Sequence, residues 1–123
     1  MGEFVRGQVV VLPFPFSNLK AKKHRPALVL AEVGGPYNEL ILCMITAKPS
    51  EPAIQIKESD FQSGKLDHLS YVKPERLFTA EARLIKNSAG VLNSSKMKEI
   101  MDQIRRLFGF DEEGPGGESN ESG

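Results

Sequence analysis

The chain has 123 residues, 40% of them hydrophobic, with 16 Lys and Arg balancing 16 Asp and Glu, and a single cysteine. That length supports one domain with a modest core, and the lone Cys43 excludes an intramolecular disulfide and a cysteine-rich zinc site. No apolar run approaches the roughly 18 residues of a membrane span, and Met1–Gly7 carries Glu3 and Arg6 where a signal peptide would be apolar. A cytoplasmic protein with no membrane association is the simplest fit.

Gln8–Leu12 is rich in valine and reads as a first strand. Pro13 and Pro15 cannot donate to a central ladder, so its continuation toward Phe16 belongs at an edge. Asn18 to Arg25 is a polar connecting loop carrying Lys20, Lys22, Lys23 and Arg25 between two apolar runs. Cations pinned there make a local positive potential suited to a polyanion. Taken alone, a solvated lysine loop is the simpler reading of that stretch. Pro26 biases Arg25 toward extended geometry, which puts it at the mouth of a second strand, Ala27–Glu32.

Gly34–Asn38 is a turn by composition, and Glu39–Ala47 after it is almost wholly apolar, as a central strand should be. Lys48–Pro52 ends that strand, and Ala53–Lys57 alternates like a short half-exposed one. Glu58–Asp67 reads as a loop containing at most one helical turn. Leu69–Val72 and Arg76–Thr79 read as two short strands interrupted by Pro74, and Leu84–Ile85 and Val91–Leu92 as apolar anchors around a loop at Asn87–Gly90. Met97, Ile100, Met101, Ile104, Leu107 and Phe108 then recur at helical spacing. Ser94 or Ser95 is the expected N-cap, Gly109 the stop, and Lys96, Lys98, Glu99, Asp102 and Gln103 the polar face.

Residues 111–123 hold five acids and no base, leaving 16 bases against 11 acids in residues 1–110, a net of +5. Such a Gly- and Ser-rich acidic segment cannot bury enough surface to offset its ordering entropy, so it reads as a disordered tail on a domain of residues 1–110. Short strands followed by one amphipathic helix predict a mainly β fold, a small, strongly curved barrel with the helix packed against it.

Several side chains invite a chemical reading and have a structural one beside it. His24 and His68 are formally an acid–base pair, but consecutive residues of an extended chain point opposite ways, so a site containing Arg25 excludes His24. His68, beside Asp67, reads as surface, and Cys43 as a buried thiol rather than a nucleophile. Phe14 and Phe16 can stack bases or fill the core. Ser70 reads equally as a phosphate contact, a base contact or a structural hydroxyl.

The blocks GQVVVLPFPFSNLKAKKHRPALVL, CMITA and LSYVKPERLF, with the closing helix, resemble the MazF/PemK family across about residues 5–109. Its members are toxins of bacterial type II toxin–antitoxin pairs that cleave single-stranded RNA, mRNA included. The resemblance implies an SH3-like, PemK-type barrel, a homodimer, a cognate antitoxin, and contact with DNA only indirectly through the antitoxin complex. It implies no cofactor and no metal, with products ending in a 2′,3′-cyclic phosphate and a 5′-hydroxyl.

By matching motif, Arg25 and Thr46 take the catalytic positions. A guanidinium offers planar paired donors to phosphoryl oxygens, and a threonine hydroxyl adds a neutral one. Because a guanidinium keeps its proton, Arg25 is a stabiliser rather than a base. Some relatives carry an acid where this chain reads Ser70–Tyr71–Val72, and Glu75 is the next acid along, so the base is left open. Lys20, Lys22, Lys23, Ser70 and Phe16 are the expected substrate contacts. A catalytically silent RNA-binding module, or a toxin aimed at gyrase or another protein, are the competing readings of the same barrel.

Overall fold

The computed structural model describes residues 3–14, 23–48 and 50–110. The acidic tail, Phe16, Lys20 and Lys22 lie outside the described residues. Seven strands form one antiparallel sheet: β1 (Gln8–Pro13), β2 (His24–Gly34), β3 (Glu39–Thr46), β4 (Ile54–Ile56), β5 (Phe61–Gly64), β6 (Ser70–Glu81) and β7 (Asn87–Leu92). A single helix among the described residues, α1 (Ser94–Leu107), follows. Spatial order is β4-β6-β3-β2-β1-β7-β5, so β3 and β2 are central, as their apolar runs require.

The order explains the curvature. β4 and β5 are the two edges, yet only residues 57–60 separate them in the chain, a 3₁₀ turn at Glu58–Asp60 included. The five steps from Ile56 to Phe61 reach about 18 Å at most, so the sheet must curl until its edges approach. Lys96 of α1 holds the seam: its ammonium donates to the Gln55 carbonyl of β4 at 3.2 Å and lies 3.8 Å from the Asp60 carboxylate beside β5. The result is a curled half-barrel with α1 against it, the mainly β architecture expected.

Alternation divides the core in two. Val9, Leu28, Cys43, Ile45, Ile54, Ile56, Val72 and Leu92 pack with Met97, Ile100 and Ile104 on the helix side. Val10, Leu12, Phe14, Ala27, Val29, Leu40 and Leu42 form the opposite face, closed in part by Phe4, Phe78 and Ala82. Phe14 is core: it meets Phe78 edge-on at 5.1 Å.

Several local expectations are corrected. Phe61–Gly64 and Asn87–Gly90, expected as loop, are strand instead: they belong to β5 and β7, which pair with each other. Gly64 and Gly90 are there for close approach, since a Cβ on Gly64 (φ +78°) would sit 2.1 Å from the Ala89 carbonyl oxygen. Pro74 does not split β6 in two; the register slips between Cys43↔Leu77 and Ile45↔Val72, and the surplus residues bulge out with the proline among them.

Asn93, not Ser94 or Ser95, caps α1, accepting from the Lys96 amide at 2.8 Å. On the helix itself, Asp102 is buried, bonded to Lys98 at 2.9 Å and Arg105 at 2.5 Å, whereas Leu107 and Phe108 are exposed. Among the described residues no helix is long and apolar enough to cross a membrane.

Candidate active site

β1 meets β2 with Leu12 opposite Arg25, and β2 meets β3 with Leu28 opposite Cys43 and Ala27 opposite Met44. The ladder between β2 and β3 ends at that pair; Arg25 and Thr46, two residues beyond it on each strand, have the parity of Ala27 and Met44 and so share their face. Thr46 is opposite Tyr71 on β6, and Tyr71 is opposite Gln55 on β4. Directly opposed residues share a face of a sheet. Leu12 and Arg25 form one such pair and Thr46, Tyr71 and Gln55 a row across three strands, all five on the face away from α1.

Neighbouring residues fix the face. Ile45 and Val72, one residue from Thr46 and Tyr71, are buried in the helix-side core, as are Ile54 and Ile56 on either side of Gln55. Arg25, Thr46 and Tyr71 are half-buried and Gln55 is exposed. β2 begins at His24, three residues before the expected start at Ala27, so Arg25 is held within a strand rather than at the end of a loop. The Lys48 amide donates to Thr46 Oγ1 at 3.1 Å, which fixes the hydroxyl while leaving it a proton to donate.

Beside the row, the β6 bulge gathers charge. The Lys73 side chain is only 7% exposed; its ammonium donates to the Ser50 carbonyl and to Ser50 Oγ, and sits 3.4 Å from the Glu75 carboxylate. Glu75 also lies 3.6 Å from Arg76 Nε. Lys73 thereby ties the segment after β3 to the bulge. Cys43 beneath it donates its thiol proton to the Lys73 carbonyl at 2.8 Å. Burial, reinforced by the Glu75 charge, pushes that thiol up to about 12, so Cys43 is inert at neutral pH.

Arg25 and Thr46 thus lie on one face of the sheet, and Ser70 on the other. Ser70 is buried on the helix-side parity of β6, opposite Ile56, and donates to the His68 carbonyl at 2.9 Å. Its hydroxyl is structural. Lys23 and His24 are exposed at the start of β2, with the Lys23 carbonyl accepting from Phe14 N at 3.1 Å. His68 is exposed in the segment before β6. Sequence patterning alone does not single out Tyr71 and Gln55; their signal is the alternation of Ile54-Gln55-Ile56 and Ser70-Tyr71-Val72.

No three His, Cys, Asp or Glu side chains gather as metal ligands among the described residues. A depression of about 710 Å³ lies away from the row, between Val5, Arg6, β7 and α1, where Lys98, Asp102 and Arg105 satisfy one another. Arg25, Thr46, Tyr71 and Gln55 do not line it.

No curated protein matches the chain in sequence. In structure it is similar to an endoribonuclease in complex with its cognate antitoxin from a mycobacterial species, at a TM-score of 0.66 and 15% identity over 89% of this chain and 96% of that one. It is also similar to MazF from Deinococcus radiodurans, at a TM-score of 0.62 and 18% identity over 85% of this chain and 96% of that one. These likenesses are of fold. The model of PemK-like, MazF-like toxins of type II toxin–antitoxin systems matches residues 5–108, nearly the whole described chain, and the chain belongs to that family.

Proposed function

We propose that the protein is a toxin that cleaves single-stranded RNA, with Arg25 and Thr46 as the phosphate clamp. The observation that supports this reading is strand parity, which gives Arg25 on β2 and Thr46 on β3 the same half-buried sheet face, away from the helix-side core. Both endow the site with donors and neither is a nucleophile. The substrate supplies that itself.

The ribose 2′-oxygen attacks the adjacent phosphorus, the new 2′-O–P bond forms, and the P–O5′ bond breaks. Charge builds on the non-bridging oxygens, where Arg25 and Thr46 donate, and such preorganised donors are each worth about 10²–10³ in rate. The proton of the 2′-hydroxyl needs a base. Glu75, in the β6 bulge between Val72 and Leu77, is the acid of β6 nearest the Thr46 end, and its carboxylate lies 3.4 Å from Lys73 Nζ. It takes the proton, and the departing 5′-oxygen is protonated from solvent. The products are a 2′,3′-cyclic phosphate and a 5′-hydroxyl, and no bound metal enters the scheme.

Lys23, at the start of β2, adds positive charge beside Arg25. The expected partner is a cognate antitoxin, in keeping with the family and with the mycobacterial endoribonuclease bound to its own; an acidic, flexible segment of it would complement the cations of this face. A homodimer is the expected state.

The test is incubation of purified protein with a long single-stranded RNA in EDTA, beside Arg25→Ala and Glu75→Gln. Cleavage to cyclic-phosphate ends, lost in Arg25→Ala and slowed in Glu75→Gln, is the expected result. Intact RNA with the wild-type protein overturns the enzyme, and intact but tightly retained RNA points to a silent binding module.

A further inference from the structure

We propose that Tyr71 and Gln55 form a base-binding subsite next to the phosphate clamp, Tyr71 stacking on one base of the RNA and Gln55 reading that base's edge. The inference rests on the endoribonuclease reading and adds to it a source of sequence preference.

The argument begins with the row. Thr46 and Tyr71 are direct antiparallel partners, as are Tyr71 and Gln55. Opposed Cα atoms lie about 4.5–5.5 Å apart, so Gln55 stands about 10 Å from Thr46 across the sheet. A phosphate held at Arg25 and Thr46 therefore leaves the attached nucleotide's base over the next strand, where Tyr71 is.

Parity supports the same placement. Val72, Ile54 and Ile56 are committed to the helix-side core, which forces Tyr71 and Gln55 out on the other face. Tyr71 is half-buried, so its ring is anchored at one end and still reachable. An aromatic face accepts any base, and stacking on it favours unpaired strands.

Gln55 supplies the choice that stacking lacks. Its carboxamide is both donor and acceptor, the pairing needed to read a base edge. β4 is a short edge strand, yet its position is secured because Lys96 holds the Gln55 carbonyl at 3.2 Å. The backbone is fixed from the helix side while the side chain projects from the exposed side. Such a fixed amide discriminates between bases better than one on a loose loop.

Wild-type digestion of a long RNA first maps the cleavage sites. A short RNA bearing one mapped site, with a 2′-deoxy nucleotide at the point of attack, then reports binding without turnover. Tyr71→Ala is expected to bind it roughly 5- to 150-fold more weakly. Tyr71→Leu, which keeps apolar bulk without a ring, is expected to lose binding as well, and Tyr71→Phe to recover most of what Tyr71→Leu loses. Gln55→Ala is expected to relax the mapped sites at one position flanking the cut while cleavage continues.

Wild-type cleavage with unchanged affinity in folded Tyr71→Leu, or Tyr71→Phe as weak as Tyr71→Leu, overturns the stacking subsite and leaves the enzyme standing. An unaltered site pattern in Gln55→Ala overturns the edge reading. A wild-type protein that neither cleaves nor binds RNA removes both the subsite and the function beneath it.

Discussion

At the β3–β6 end of the barrel, two faces of the same strands do different work. Ile45, Val72, Ile54 and Ile56 point toward α1 and are at most 6% exposed; Thr46, Tyr71 and Gln55, each one residue along, point away and meet solvent. A strand has a side-chain period of two, so stability and chemistry are interleaved residue by residue rather than assigned to separate regions. The packed face fixes the register, and the register is what puts Arg25, Thr46, Tyr71 and Gln55 on one face. A slip of one residue on β2 or β3 would exchange the two sets.

The sharpest way to break this comparison is to truncate one neighbour on each face. Ile45→Ala, at 1% exposure in the helix-side core, is expected to cost about 2–5 kcal/mol of stability by denaturant melting. Thr46→Val keeps the shape and removes the hydroxyl, and is expected to lower cleavage about 10²–10³-fold. Its stability should change by less than about 1 kcal/mol, the worth of the bond to the Lys48 amide. Ile45→Ala that leaves stability intact, or Thr46→Val that unfolds the protein, would dissolve the division between the faces.

Much of this is legible along the chain because it is local. The apolar run Leu40–Ile45 marks β3 as central, Pro26 keeps Arg25 extended, and the 3.6-residue period from Met97 announces α1. What local pattern does not carry is partnership. Gly64 and Gly90 look like turn residues, yet they mark the crossing of β5 and β7, visible only once both strands are side by side. Pro74 looks like a break because the bulge that accommodates it depends on β3. Asp102 looks solvated because Lys98 and Arg105 lie on its own helix while the surface that buries it does not. Ser70 reads as a substrate contact as readily as a structural hydroxyl, since parity is a property of the folded ladder.

The next effects test the packed face alone. Asn93→Ala removes the side chain that accepts from the Lys96 amide and is expected to cost about 1 kcal/mol by the same melts. Cys43 offers a pH-resolved test. Its thiol is raised from 9.0 to about 12 in the fold, so both states are neutral below pH 9 and the folded state binds the extra proton above it. Stability contributed by this group is present below pH 9 and is lost as pH rises through 12. Melts at pH 8 and pH 10.5 should show a steeper alkaline loss in wild type than in Cys43→Ala. Equal slopes would mean that the thiol is not held in the dry helix-side core.

The smallest expected effect bears most directly on the two faces. Ser70 is adjacent to Tyr71 and carries a hydroxyl like that of Thr46, so chemistry alone gives no reason to separate them. Geometry does: Ser70 is 5% exposed, shares the helix-side parity with Val72, and spends its proton on the His68 carbonyl. Ser70→Ala should cost about 0.5–1.5 kcal/mol for that bond, and the RNA cleavage rate of the folded fraction should match wild type. A large fall in cleavage with unchanged stability would place Ser70 at the substrate. The β6 register would then have to be shifted by one residue, which moves Tyr71 inward and takes the base subsite with it.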